Sequence, residues 1–175
     1  MSQPQTAAAL TPRGRLAQVA EDGFLSGVIG GTTVALLFLI VDLLQGQPFF
    51  TPSLLGQIFL QGADPATVTS VSPPMVVAYT AVHMALFVAA GMAAAYAVSE
   101  FETRPHVGVV LLLLFLCFEA AFLGFAIAFA PGLIGTLGGL EVAIANLLSA
   151  GAMAGYLLWW RHPGALRNLD KVWED

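Results

Sequence analysis

Three polar side chains that could carry chemistry lie within long apolar stretches of the sequence: His83, Glu119 and Asn146. Glu119 stands out most, because every other residue in the surrounding stretch LFLCFEAAFLGFA is apolar or glycine. A charged side chain in hydrocarbon is costly, so it normally faces the interior of a helix bundle and finds a partner there. We therefore expect these three side chains to point inward and to meet one another.

Their positions in the sequence support a common layer. At about 1.5 Å per helical residue, His83, Glu119 and Asn146 lie at similar depths in three different apolar segments. Tyr79 lies one helical turn from His83 on the same face. The predicted intramembrane polar cluster, a candidate ligand or proton site, comprises His83, Glu119, Asn146 and Tyr79, with Asp42 nearer the outer mouth and Glu141 at the start of the last segment.

Burial favours the neutral forms of a carboxyl group and an imidazole. We therefore expect Glu119 to be protonated at neutral pH and hydrogen-bonded to His83 or Asn146. Three interpretations of the cluster stay open: a structural network that holds the helix register, a ligand or proton site, and a contact with a partner. A quinone would suit a site formed by His83, Tyr79 and Glu119, although the sequence requires no cofactor.

A metal site is not predicted, because no HxxxH, HExxH or ExxH spacing occurs and a stable site needs three or four converging ligands. No GxSxG, P-loop or dinucleotide-binding motif is present either. The sequence therefore offers no catalytic residue, and an enzyme is the least favoured class of function.

Composition identifies the surroundings that these side chains need. Of the 175 residues, 58% are hydrophobic and 10% are charged, whereas a soluble domain carries about 25% charged residues. The apolar residues form four runs of the length that crosses a bilayer as a helix. We predict an all-α integral membrane protein, a four-transmembrane-helix bundle in one domain, with spans at about 23–44, 74–98, 107–130 and 135–160.

The basic residues predict the orientation. All six precede the first span, follow the fourth, or separate the second from the third: Arg13, Arg15, Arg104, Arg161, Arg167 and Lys171. By the positive-inside rule, both termini are cytoplasmic. The chain resembles the many small four-span bacterial membrane proteins, which implies a bacterial inner membrane. A net charge of −5 without basic clusters argues against nucleic acid as a partner.

The connection between the first two spans contains a predicted short helix at about 52–61. Thr51 suits an N-cap, Pro52 suits the first helical position, and Gly62 suits the end. This helix is expected on the outer membrane surface or over the mouth of the bundle, through an apolar stripe formed by Leu54, Leu55, Ile58 and Phe59.

Small residues at four-residue spacing predict where helices pack closely. The first span carries Gly23, Gly27 and Gly31, and the last carries Gly151 and Gly155. These faces serve contacts within one bundle or between chains, so a homo-oligomer stays open.

Two functions follow from the sequence. The favoured one is a non-catalytic accessory or structural subunit of a membrane complex, because the chain is small and has short loops and no soluble domain. The alternative is a small transporter, or a protein that handles protons or quinone through a His83–Glu119 pair.

Overall fold

The computed structural model describes residues 12–103 and 139–163, and within these ranges the chain is helical and contains no strand. The elements are α1 (Pro12–Leu44), α2 (Phe50–Gln61), a 3-10 turn (Pro65–Thr67), α3 (Pro73–Thr103) and α4 (Gly139–Gly155), which continues as a π-helical segment (Tyr156–Arg161). The helical membrane character predicted from composition is confirmed by three helices that are long and apolar enough to cross a bilayer: Arg13–Leu44, Pro73–Glu100 and Leu140–Arg161. The predicted span at 107–130 lies outside the described residues.

Two of these helices extend beyond the apolar stretches that predicted them. The helix α1 begins at Pro12 rather than near Gly23, and α3 continues to Thr103 rather than ending near Val98. Proline suits a first helical position, because the missing N–H would have no partner there. Hydropathy marks the part of a helix that lies in lipid, whereas the backbone hydrogen bonds continue into the polar flanks.

A glycine turn ends α1 and sends the chain back toward the bundle. Gly46 has a left-handed φ of 73°, which costs glycine nothing because it has no Cβ. The N–H of Gly46 donates to the carbonyl of Leu43, and the N–H of Gln47 donates to that of Asp42. This pair of bonds is a Schellman motif, and it brings α2 directly beside the end of α1.

The short helix predicted at 52–61 is present as α2, but its N-terminal cap was predicted wrongly. The capping position is Phe49, in a left-handed conformation without a side-chain hydrogen bond. Thr51 lies inside the helix, and the Asp42 carboxylate accepts its N–H at 2.8 Å and its hydroxyl at 2.6 Å. A charged acceptor from α1 supplies the cap, because an anion is favoured at a helix N-terminus. Gly62 ends the helix in the left-handed conformation, as predicted.

The backbones of α1 and α3 meet along a line of glycines. A Cβ built on Gly23 would lie 2.5 Å from the Cα of Met92, and one built on Gly91 would lie 2.7 Å from the Cα of Gly27. Gly31 lies farther along α1, beside Met84 of α3. As the residue numbers of the contacts rise along α1, they fall along α3, so the two helices are antiparallel.

The neighbouring face of α1 packs against α4. Gly30 lies against Met153 and Ser149. The buried residues of α4 share one face at four-residue spacing: Ala145, Ser149, Met153 and Leu157. Thus α1 touches α3 on one side and α4 on the other, and hydrogen bonds between Asp22 and the C-terminal end of α4 make α4 antiparallel to α1 as well.

We expect Gly27→Ala to destabilise the protein by about 1–3 kcal/mol, the usual cost of overpacking. A Cβ at Gly27 would lie 2.5 Å from the Cα of Val88, so the helices would have to separate. Gly151→Ala is the control, since a Cβ there meets no described atom within 4 Å. Thermal unfolding in detergent should show a lower midpoint for Gly27→Ala only; equal midpoints for both variants would contradict the packing.

Candidate functional site

The most completely buried charge in the described part of the chain is Asp22, near the N-terminal end of α1. Its side chain is 0% exposed. The Nε of Arg161 donates to one carboxylate oxygen, and the Nε2 of His162 donates to the other at 3.1 Å. Both oxygens are therefore satisfied by donors from one neighbouring element, which is what a buried carboxylate requires.

The π-helical segment presents those donors. The N–H of His162 donates to the carbonyl of Leu157 at 2.7 Å, five residues earlier. The wider turn leaves Leu157 buried and Trp159 and Trp160 largely exposed, while Arg161 and His162 reach Asp22. Single π-helical turns are uncommon and are frequent at functional sites, so the segment identifies this end of the bundle as a candidate site.

A second ion pair lies at the same end of the bundle. Arg15 of α1 donates to the Glu100 carboxylate of α3 at 2.8 Å and to the carbonyl of Ser99 at 3.1 Å. The Arg15 side chain is 42% exposed, so this pair is weaker than a buried one. Together with the Asp22 cluster, it connects α1 to the C-terminal ends of both α3 and α4.

His83 lies in the middle of the bundle, at the contact between α3 and α1. Its Nε2 is 3.1 Å from the carbonyl oxygen of Gly31. Because a carbonyl can only accept, Nε2 carries the hydrogen and a neutral ring leaves Nδ1 as an acceptor. The ring lies 5.8 Å from that of Tyr79 and 4.7 Å from that of Phe87, so His83 and Tyr79 are neighbours, as their spacing suggests.

The other members of the predicted cluster do not join His83 in the described residues. Asp42 is bonded to Thr51 at the other end of α1. Asn146 and Glu141 are exposed on α4. Asn146 lies on α4 off the buried face that contacts α1; that it points into a four-helix bundle stays a prediction, because the predicted third span lies outside the described residues. Glu119 lies outside the described residues.

The predicted packing glycines separate into two groups. Gly23, Gly27 and Gly31 lie where α1 meets α3. A Cβ on Gly151 meets no described atom within 4 Å, and one on Gly155 meets only the ring of Trp159 in its own helix, at 3.7 Å. The described part of the chain therefore gives the α4 glycines no partner helix.

Sequence reasoning did not identify Asp22, Arg161 or His162 as site residues. Arg161 was used only to orient the spans, and Asp22 lies just before the predicted start of the first span. A signal was present, because Asp22, Ser26 and Gly30 repeat the four-residue spacing of the glycine face one position earlier. A carboxylate on such a face lies in a helix contact rather than in solvent.

Ser26 is the unsatisfied member of that face. Its hydroxyl is fully buried, and no hydrogen-bond partner for it is found among the described residues. Ser149, on the facing helix, donates to the sulfur of Met153 at 3.9 Å. This contact between α1 and α4 is therefore held by the ion pairs at its end and by close packing rather than by its hydroxyl groups.

The arrangement at Asp22 can lock two helix ends together, and its carboxylate has no oxygen left for a ligand. Among residues 12–103 and 139–163, no three His, Cys, Asp or Glu side chains converge in a way that could hold a metal ion. No family model matches the sequence, and neither the curated proteins nor the solved structures contain a match.

We expect Asp22→Asn to lower the free energy of unfolding by about 1–3 kcal/mol, because it removes the buried charged acceptor of Arg161 and His162, while Glu21, 3.6 Å from the Arg161 guanidinium, still balances part of its charge. Glu100→Gln removes the exposed pair at the same end of the bundle and should cost less than about 1 kcal/mol. Unfolding by a denaturing detergent measures both variants. Equal losses would show that the Asp22 pair is no stronger than the exposed one.

Proposed function

We propose that the protein is a non-catalytic accessory or structural subunit of a membrane complex, built as a four-span helical bundle. The supporting observation is how its buried or partly buried ionisable groups are bonded. Asp22, Asp42 and His83 each bond to another helix or to the end of one. These side chains hold helices together, as expected of a scaffold rather than of a ligand-binding site.

The ends of the described helices support the fourth span. The C-terminal ends of α3 and α4 both lie at the N-terminal end of α1, through Arg15–Glu100 and Asp22–Arg161. The end of α3 at Thr103 and the start of α4 at Gly139 thus lie at opposite ends of the bundle, which favours a further crossing between them. The apolar run at 107–130 is long enough, at about 1.5 Å per residue, to make that crossing as a helix.

The same arrangement supports cytoplasmic termini in a bacterial inner membrane. The start of α1 and the end of α4 lie at one end of the bundle, and the basic residues of the described ranges lie there too: Arg13, Arg15 and Arg161. Basic residues on one side of the spans favour that side as the cytoplasm.

Large apolar side chains cover the outward surfaces of α3 and α4, where either lipid or a partner subunit can lie. Val77 and Leu86 on α3 are 71% and 65% exposed, and Leu147 on α4 is 74% exposed. In a membrane, lipid can surround these residues without any contact to protein. A partner subunit would be recognised through their shape, because lipid gives helices no hydrophobic reason to associate.

One observation favours the alternative, a small transporter or a protein that handles protons or quinone. The Nδ1 atom of His83 is left as an acceptor, and the described residues provide it with no donor. A protonated Glu119 on the proposed third span would be such a donor, and a quinone hydroxyl would be another.

The length of α3 weighs against the Glu119 donor. Glu119 lies twelve residues after Val107, where the third span is proposed to begin. Gly91 lies twelve residues before Thr103, where α3 ends. In an antiparallel hairpin, Glu119 would therefore lie level with Gly91. His83 lies two helical turns farther along α3, about 12 Å away, which is beyond the reach of a direct hydrogen bond.

Reporter fusions test the topology. A fusion after Gly62 and one at the C-terminus should report opposite sides of the membrane, with the C-terminus inside, because three crossings separate them: α3, the proposed span at 107–130, and α4. A third fusion after Gly135 should report the same side as Gly62. Opposite results at Gly62 and Gly135 would rule out the fourth crossing.

Co-purification tests the role. The tagged protein, extracted from its native membrane in mild detergent, should carry at least one other polypeptide in a fixed ratio. Leu86→Ala and Leu147→Ala should release that partner without lowering thermal stability, since both side chains are exposed in the monomer. Gly151→Ala, at an uncrowded helix position, is the matched control.

A homo-oligomer without a second polypeptide would contradict the accessory role and favour the alternative. In that case His83→Phe, which keeps the ring but removes the nitrogens, should abolish proton or quinone handling and leave the fold intact. If the accessory role is correct, His83→Phe should cost about 0.6 kcal/mol of stability, the typical value of one interhelical hydrogen bond in a membrane.

A further inference from the structure

The helix α2 is held rigidly at the end of the bundle away from the N-terminus of α1. Asp42 binds its first turn. On its other side, the hydroxyl of Ser53 accepts the N–H of Ser72 at 2.8 Å, and the side chain of Gln57 donates to that hydroxyl and to the carbonyl of Ser70. The polar side chains of Thr51, Ser53 and Gln57 therefore bond within the protein, whereas Gln61, the last residue of α2, is exposed.

The packing of α2 is equally close. Leu54 is 0% exposed, and Leu55 is buried beside it. A Cβ on Gly56 would lie 2.6 Å from the carbonyl oxygen of Met75, at the start of α3. With its position fixed from two sides, α2 cannot turn its remaining apolar residues inward.

Those remaining residues form an exposed apolar rim. On α2 and its cap, Phe49, Phe59 and Leu60 are 49%, 60% and 47% exposed. At the end of α1, which is long and apolar enough to span a membrane, Leu43 and Leu44 are 56% and 83% exposed. We call these five residues the apolar rim. It continues the surface that α1 presents to lipid.

Phe49 is an independent indication that the rim has a role. It is the only described residue other than glycine with a positive φ, at 66°. A bulky side chain in that conformation is strained, whereas glycine or asparagine would be tolerated at little cost. Phe49 is half exposed, so a contact of the exposed half of its ring with something outside the described chain would offset that strain.

Charge identifies what covers the rim. Residues 43–63 contain no Asp, Glu, Lys, Arg or His. An interface with water or with a charged protein surface would place charges along this segment, whereas burial among lipid acyl chains excludes them. The rim is also continuous with a transmembrane helix, so a bilayer around α1 reaches it without any change of shape.

We infer that α2 is a membrane anchor whose apolar rim is inserted into the leaflet at that end of the bundle, with lipid as its partner. The clamped polar face stays toward the protein, and Phe49, Phe59 and Leu60 lie among the acyl chains below the headgroups. Each buried apolar side chain contributes to anchoring in proportion to the area it removes from water. This fixes the depth of the bundle in the membrane.

Spin labels test the depth directly. The single cysteine, Cys117, is replaced by alanine, and a nitroxide is attached to Phe59→Cys or Leu60→Cys. The protein is reconstituted in vesicles of phosphatidylcholine and phosphatidylglycerol. Collision rates with oxygen, which concentrates in lipid, and with a nickel chelate, which stays in water, are then compared. Leu36→Cys, exposed on the apolar span of α1, is the lipid reference, and Thr69→Cys, exposed between α2 and α3, is the water reference.

Labels at Phe59 and Leu60 should resemble the Leu36 label, with several-fold more oxygen than nickel collisions, and the Thr69 label should show the reverse. Nickel collisions at Phe59 and Leu60 equal to those at Thr69 would overturn the anchor. Dipolar coupling between labels on different copies, with both reagents excluded, would assign the rim to a second copy and would also overturn it. Both label positions are exposed, so the fold is retained in each variant.

Discussion

The close approach of α1 and α3 at Gly23, Gly27 and Gly91 is the constraint on which the rest of the structure depends. In lipid, apolar surface alone gives helices no reason to associate, so contact between backbones supplies the attraction. A methyl group on any of these glycines would overlap the facing helix. The same closeness allows the imidazole of His83 to reach a backbone carbonyl of α1, which longer side chains between the helices would prevent.

Adjacent faces of α1 contact different helices. The glycine face receives α3, and the face one residue earlier, with Asp22, Ser26 and Gly30, receives α4. Because both partners are antiparallel to α1, all three helices bring polar groups to the same end. Ion pairs form there, and the deeper contacts rely on small residues and on one imidazole. Strong electrostatic bonds at the end and close packing in the middle suit a rigid bundle.

At the opposite end, the structure uses a carboxylate in another way. Asp42 lies in the last turn of α1, and its carboxylate caps the first turn of α2. One charge therefore fixes the turn between the two helices. The buried carboxylates of α1 thus have matching roles: Asp22 fixes α4, and Asp42 fixes α2. Neither leaves an oxygen free in the described structure. This is why a scaffold accounts for these residues better than a binding site does.

The sequence by itself determined the membrane character, three of the spans, the short helix and the glycine face, because hydropathy and residue spacing are local properties. It also paired His83 with Tyr79, which lie one turn apart. It could not assign Asp22 to Arg161 and His162, since those residues are separated by nearly the whole chain and only the antiparallel packing of α4 brings them together. It misplaced the α2 cap for the same reason: the capping oxygen comes from Asp42 on another helix, through a glycine turn. Depth along a span could be counted from the sequence, whereas the side of α4 that meets α1 depends on contacts between distant helices, and only the tertiary structure decided that.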